Sequence, residues 1–325
     1  MLVDFGMEQI MELSRHADGR VAVACLRAVA ACSSDPMFAA GVPGAFVGRV
    51  AALLDEDPRG VGHVFGPQDT CTAAAEVLAA LADCPGRRPA VVASLLHASR
   101  LAALLGLCAA PSCSQRQGGL RLLAVVPDSV AGWNAALQCG VIGVALDAMT
   151  GSCCPKVRAL AARLICKFTA ASSATLHHVP RCVAVMRVVG LAPLLHALVM
   201  ALRFPEPAVV RHASTALTTI AREPSRASLV PVIPAGGSGS IGGVGSLKPA
   251  PEPCGQATQR EFVRMHGPRA LMAAYSSLQE GGQLGRGNRV AVALLDAMLV
   301  RPRAAAWVPV WVLSHGTAIR IILLF

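Results

Sequence analysis

The chain has 325 residues, too many for one ordinary hydrophobic core, a limit that stacked repeats avoid. Hydrophobic residues make up 54%, aromatics 4% and charged residues 15%, so any core is assembled from many small Ala, Leu and Val contacts rather than a few large anchors. The formal charge of +10 favours acidic partners, and twelve cysteines scattered along the chain exclude a disulfide-dense secreted module.

Ala- and Leu-rich runs predict helices from one end to the other. The N-terminus, MLVDFGMEQIMEL, carries acids where a signal peptide needs a basic region. GMEQIMELSRH and GRVAVACLRAVAAC read as a pair of helices, a repeat copy without its first helix. PMFAAG, GAFVGRVAALL and TCTAAAEVLAALAD form the next copy, with an inserted loop at 57–69. VVASLLHAS, RLAALLGLC and RQGGLRLLAVV form a weaker one. AGWNAALQCG, VIGVALDAM and PKVRALAARLICKFTA follow, then CVAVMRVVG, LAPLLHALVM and AVVRHASTALTTIARE. Pro155 and Pro207 stand where proline is tolerated, in the first turn of a helix. EFVRMHG, PRALMAAYSSL and NRVAVALLDAML make a sixth unit.

The expected breaks lie near Gly6, Gly41, Arg100, Gly140, Gly190 and Gly267. The Gly/Ser/Pro-rich stretch 229–255 is expected to be a disordered insertion. The organisation is thus a repeat domain over 1–300 and an apolar tail over 301–325. The tail segment 304–325 raises a membrane question, but Pro309, His315, Gly316 and Arg320 interrupt it.

The phrases VVGLAPLLHAL, PAVVRHASTALTTIA, QCGVIGVALDAM and PKVRALAARLICKFTA resemble the armadillo repeat. The resemblance is strongest over 130–223 and covers most of 6–300. It implies an all-α fold, a right-handed α-solenoid of about six repeats whose third helices line a groove for extended peptides. The physics beside it is independent: one unit cannot bury its own apolar face, so neighbours must stack.

Residues 155–170 show what such a helix must do. Val157, Leu160, Ala161, Leu164, Ile165 and Phe168 share one apolar stripe. Lys156, Arg163 and Lys167 share another, which must meet solvent or a partner. In the same register the other third helices carry Arg27, Glu76, Arg121, Thr215 and Asp296 at the Arg163 step, and Thr219 at the Lys167 step. Armadillo proteins that carry nuclear import cargo have Trp and Asn there. Here Trp133 and Asn134 fall instead on a short first helix, which disfavours that role. The candidate partner-binding residues are Arg27, Arg121, Arg163, Lys167, Thr215 and Thr219. Arg presents a fixed fork that grips carboxylate or phosphate, so the expected partner is a protein offering an extended acidic segment. Arg158 is read as a structural arginine at the helix start.

No phosphate loop and no nucleophile elbow are present in the right setting, so no enzyme and no cofactor is expected. Cys153-Cys154, His177-His178 and the Cys108/Cys113 pair lack the spacing of a closed metal site. His196 and His212 read as surface or packed histidines, and Asp55, Glu56 and Asp57 as an exposed turn. The function expected is a non-enzymatic interaction scaffold. A nucleic-acid binder is the alternative, disfavoured by few aromatics and three lysines. A tail-anchored armadillo protein is the other. Cys25, Cys32, Cys139 and Cys166, inside apolar helices, point to a reducing compartment, the cytoplasm or the nucleus.

Overall fold

The computed structural model describes residues 2–14, 16, 18–55, 67–170, 181–222, scattered positions between 261 and 276, and 307–314 and 317–324. Among the described residues fourteen α-helices run in chain order as one pair followed by four triplets. The pair is α1 (Leu2–Leu13) and α2 (Gly19–Cys32). The triplets are α3–α5 (Pro36–Gly41, Gly44–Ala52, Pro67–Asp83), α6–α8 (Arg88–Leu95, Ala98–Ala109, Cys113–Leu123), α9–α11 (Val130–Gln138, Val141–Gly151, Pro155–Thr169) and α12–α14 (Arg181–Val189, Leu191–Ala201, Pro207–Arg222). A single 3₁₀ turn, Val126–Asp128, joins α8 to α9.

The chain divides into two compact units, Met1–Phe168 and Thr169–Phe325. In the first, α5 packs on both α2 and α8, which sets three third helices side by side. The helix α7 packs on α8 and α10. In the second, α12, α13 and α14 pack on one another.

Each triplet depends on a sharp turn between its first two helices. The bend is 97° between α6 and α7, 73° between α9 and α10, and 103° between α12 and α13. At two of these turns glycine supplies a positive φ, 80° at Gly140 and 89° at Gly190, a backbone region that other residues enter at a cost. Pro155 and Pro207 open α11 and α14 as their position predicts.

The apolar stripes become the core. On α11, Val157, Ala161, Leu164, Ile165 and Phe168 are fully buried, and Leu160 partly so. Trp133 is buried as well; its ring packs on Phe168 at 6.0 Å and its Nε1 donates to the Phe168 carbonyl at 3.2 Å. An indole buried with its N–H satisfied is a core residue, not a ligand platform.

Several boundaries differ from expectation. Gly6 lies inside α1, because the Met, Glu, Gln and Leu residues that follow it favour helix enough to outweigh the roughly 1 kcal/mol a helical glycine costs. The break placed near Arg100 falls at Leu96–His97, and Arg100 sits in the first turn of α7. The helix α5 begins at Pro67, so the end of the inserted loop at 57–69 is helical; positions 57–66 lie outside the described residues. Cys32 is exposed at the end of α2 rather than packed. The insertion 229–255, His177-His178 and most of the sixth unit lie outside the described residues. In the tail, Trp307–Ser314 (β1) and Thr317–Leu324 (β2) form an antiparallel pair, with Trp307 opposite Leu324 and Ser314 opposite Thr317. Among the described residues no single helix is long and apolar enough to cross a membrane.

Candidate partner-binding face

The cationic positions fall into two groups once their partners are known. In the first group arginines at helix starts reach back to the preceding helix. Arg88 Nε donates to the Ala82 carbonyl at 3.0 Å, Arg100 Nη1 to Ser94 at 2.5 Å, and Arg158 Nη1 to Ser152 at 2.7 Å. Each acceptor lies in the last turn, or at the C-cap, of the helix before. The last four carbonyls of a helix have no partner within it, and a cation there also meets the negative end of the helix dipole. Arg87 does the same at longer range, donating to Ala39 and Ala40 at the end of α3.

Arg100 is largely enclosed, with 13% of its side chain exposed. It also pairs with Asp55 at 2.7 Å, and the Ser99 hydroxyl donates to the same carboxylate at 2.6 Å. Partial burial pushes the Asp55 carboxyl up, but the Ser99 and Arg100 hydrogen bonds outweigh it and hold the group below its usual range. Asp55 is therefore exposed, as expected, and also ties the end of α4 to α7; Glu56 and Asp57 lie outside the described residues.

The second group contains the positions singled out from sequence. Arg27 on α2 is exposed and lies 4.0 Å from Glu76 on α5. That pair supports the register in which both residues occupy the same step of neighbouring third helices. Arg121 on α8 is also exposed and pairs with Asp83 of α5 at 2.6 Å. Lys167 on α11 is more enclosed: its Nζ donates to the Ala124 carbonyl, the C-cap of α8, at 2.6 Å and to Asp128 at 2.7 Å. Asp128 is approached by Arg88 as well, at 3.8 Å. Lys167 thus combines the helix-end role of the first group with an ion pair.

Arg163, one turn before Lys167, is exposed, and no hydrogen bond or ion pair joins it to another described residue. Thr215 and Thr219 belong to the second unit. Their hydroxyls donate to the carbonyls of Arg211 at 2.9 Å and Thr215 at 3.0 Å, the residues four positions earlier on α14. Ser214 and Thr218 do likewise on the buried side. The hydroxyl oxygens of Thr215 and Thr219 keep lone pairs to offer as acceptors. Asp296 lies outside the described residues.

Sequence reading missed Asp83 and Asp128 as partners of Arg121 and Lys167. They stand 38 and 39 positions away, about one repeat length. A search for opposite charges one repeat apart is the signal that finds them. Elsewhere, a cleft of about 440 Å³ in the second unit is lined by Ala192, Pro193, His196, Glu261, Arg264 and Met265. Its charged pair is turned on itself, with Arg264 bidentate on Glu261 at 2.6 and 2.8 Å. Among the described residues no group of three or more His, Cys, Asp or Glu side chains could hold a metal ion.

No protein-family model matches the chain, and no curated protein matches it significantly. Solved structures do. An engineered protein aligns with a TM-score of 0.57 and 17% identity over 90% of this chain and 97% of its own. A designed armadillo repeat protein aligns with a TM-score of 0.57 and 14% identity over 90% and 98%. A chain from a study of the interaction between cadherin and beta-catenin aligns at 0.57 and 14% over 90% of this chain and 44% of its own. The fold is an armadillo-type helical repeat, an all-α solenoid to which the β1–β2 pair is appended.

Proposed function

We propose that the protein is a non-enzymatic interaction scaffold that takes an extended acidic segment of a partner protein along the exposed face of α2, α5, α8 and α11. The observation that carries this reading is Arg163, an exposed guanidinium that no hydrogen bond or ion pair joins to another of the described residues. A planar fork with five free donors is the group best suited to a carboxylate arriving from outside. Arg27 and Arg121 extend the face. Their ion pairs are exposed, and such pairs are worth only about 0–1 kcal/mol, so a partner carboxylate exchanges with Glu76 or Asp83 at little cost. Lys167 contributes by positioning α11 on α8 rather than by offering a free charge.

Support of a general kind comes from the fold. A designed armadillo neighbour is described in complex with a (KR)4 peptide, and another as built for modular peptide recognition. The sign of the charge is reversed here, in line with the net charge of +10. The proposed location is the cytoplasm, where buried thiols such as Cys108 and Cys182 stay reduced.

The test is fluorescence anisotropy with labelled Glu-rich, Lys-rich and neutral peptides of equal length. The Glu-rich peptide is expected to bind, to lose affinity as salt rises, and to weaken about tenfold in the Arg163→Ala variant, the loss of one charge-assisted contact. Equal binding of all three peptides, or an unchanged affinity in that variant, sinks the acidic-segment reading.

A further inference from the structure

Two thiols of successive repeats stand at the starts of α8 and α11. Cys113 is the first residue of α8, and Cys154 immediately precedes Pro155, the first residue of α11. The Cys154 carbonyl accepts from the Arg158 amide at 3.1 Å, which makes it the residue that caps α11. Its own N–H donates to Ser152 Oγ at 3.1 Å. A Ser or Asp usually caps a helix because its oxygen accepts from the free amides of the first turn. Here Sγ takes that place and faces the amides of Val157 and Lys156.

The helix α8 supplies the other side. Gln117 Nε2 donates to Cys154 Sγ at 3.7 Å, and Cys113 stands one turn before Gln117 on α8, which brings its thiol to the same end of the junction. Arg116 Nη2 donates to Cys113 Sγ at 3.7 Å. Both thiols are partly accessible. The Val157 amide above all holds the Cys154 thiol below its ordinary range, against some desolvation and with help from the Lys156 amide, Cys113 and Gln117. Burial does the opposite elsewhere: it raises Cys25 and pushes Cys71 up to about 11 and Cys108 up to about 12.

We propose that Cys113 and Cys154 form a peroxide-sensitive dithiol site, with Cys154 as the reacting sulfur and Cys113 as the resolving one. The Cys154 thiolate attacks an oxygen of a hydroperoxide. The O–O bond breaks, the second oxygen leaves as an alcohol or water after taking a proton, and Cys154 becomes a sulfenic acid. Cys113 sulfur then attacks Cys154 sulfur, the S–O bond breaks, and water leaves with the Cys113 proton. Two electrons pass from the two thiols to the peroxide. The disulfide links the start of α8 to the cap of α11, and an external dithiol reverses it. This site does not depend on what the cationic face binds.

The experiment treats the reduced full chain with equimolar hydrogen peroxide, blocks the remaining thiols by alkylation and maps disulfides by fragment mass spectrometry. A Cys113–Cys154 bond is expected before any other among the twelve cysteines, and excess dithiothreitol should remove it. Cys113→Ser should leave a sulfenic acid on Cys154 that dimedone traps. Cys154→Ser should abolish the bond, and Cys153→Ser should leave it. Circular dichroism checks that the variants remain helical. Oxidation of exposed Cys153 or Cys32 without a Cys113–Cys154 bond overturns the proposal, as does an unchanged first disulfide in Cys154→Ser.

Discussion

The junctions between helices and the outer face of the third helices both carry arginines, yet the two sets do opposite work. Arg88, Arg100 and Arg158 donate to backbone carbonyls at helix ends, groups with no partner inside their own helix. Among the described residues Arg27 and Arg121 pair with exposed carboxylates, and Arg163 forms no hydrogen bond or ion pair. The same side chain is structural where its acceptor is a half-buried backbone carbonyl and available where its acceptor is a solvated carboxylate. Lys167 stands between, with one bond of each kind.

Substitutions sharpen that contrast. Arg100→Ala has the largest expected cost, about 2–3 kcal/mol, because it takes the donor from the Ser94 carbonyl and leaves the Asp55 carboxylate with Ser99 alone. Urea denaturation measures it, and a loss no greater than that of Arg121→Ala would erase the distinction. Lys167→Ala should cost about 1–2 kcal/mol, one helix-end carbonyl and one half-exposed pair, in the same assay.

Acid should act on the junctions first. The folded Asp55 carboxyl lies below its unfolded value, so its contribution is complete above about pH 4 and is lost as pH falls through the folded pKa. The Asp55→Asn variant should therefore lose less stability between neutral pH and about pH 3 than the parent does. Parallel curves would mean that the Ser99 and Arg100 contacts do not distinguish the folded carboxylate. On the outer face, Arg27→Ala and Arg121→Ala should each cost under about 1 kcal/mol. Arg163→Ala is the smallest, within about 0.5 kcal/mol by thermal melting, although it is the variant expected to weaken acidic-peptide binding most.

The helical repeat was legible because it rests on local physics. The periodicity of Val157, Ala161, Leu164, Ile165 and Phe168, the prolines that open α11 and α14, and the glycines at 140 and 190 all act within a few residues. The boundaries that differ, at Gly6 and Arg100, are those where a single residue suggests a stop while the residues after it favour helix. The candidate face was legible only in part: exposure of Arg27, Arg121 and Arg163 follows from the helix register, their ion pairs do not.

By itself, then, the sequence determined the helices, their buried stripes and the positions that must face outward, since each depends on propensity and a 3.6-residue period. Only the tertiary structure decided which cations are satisfied. Arg121 meets Asp83 and Lys167 meets Asp128 across nearly forty residues, and Gln117 meets Cys154 across a similar span. Such encounters are set by how one repeat stacks on the next, and a local pattern holds no record of which atoms face each other across that junction.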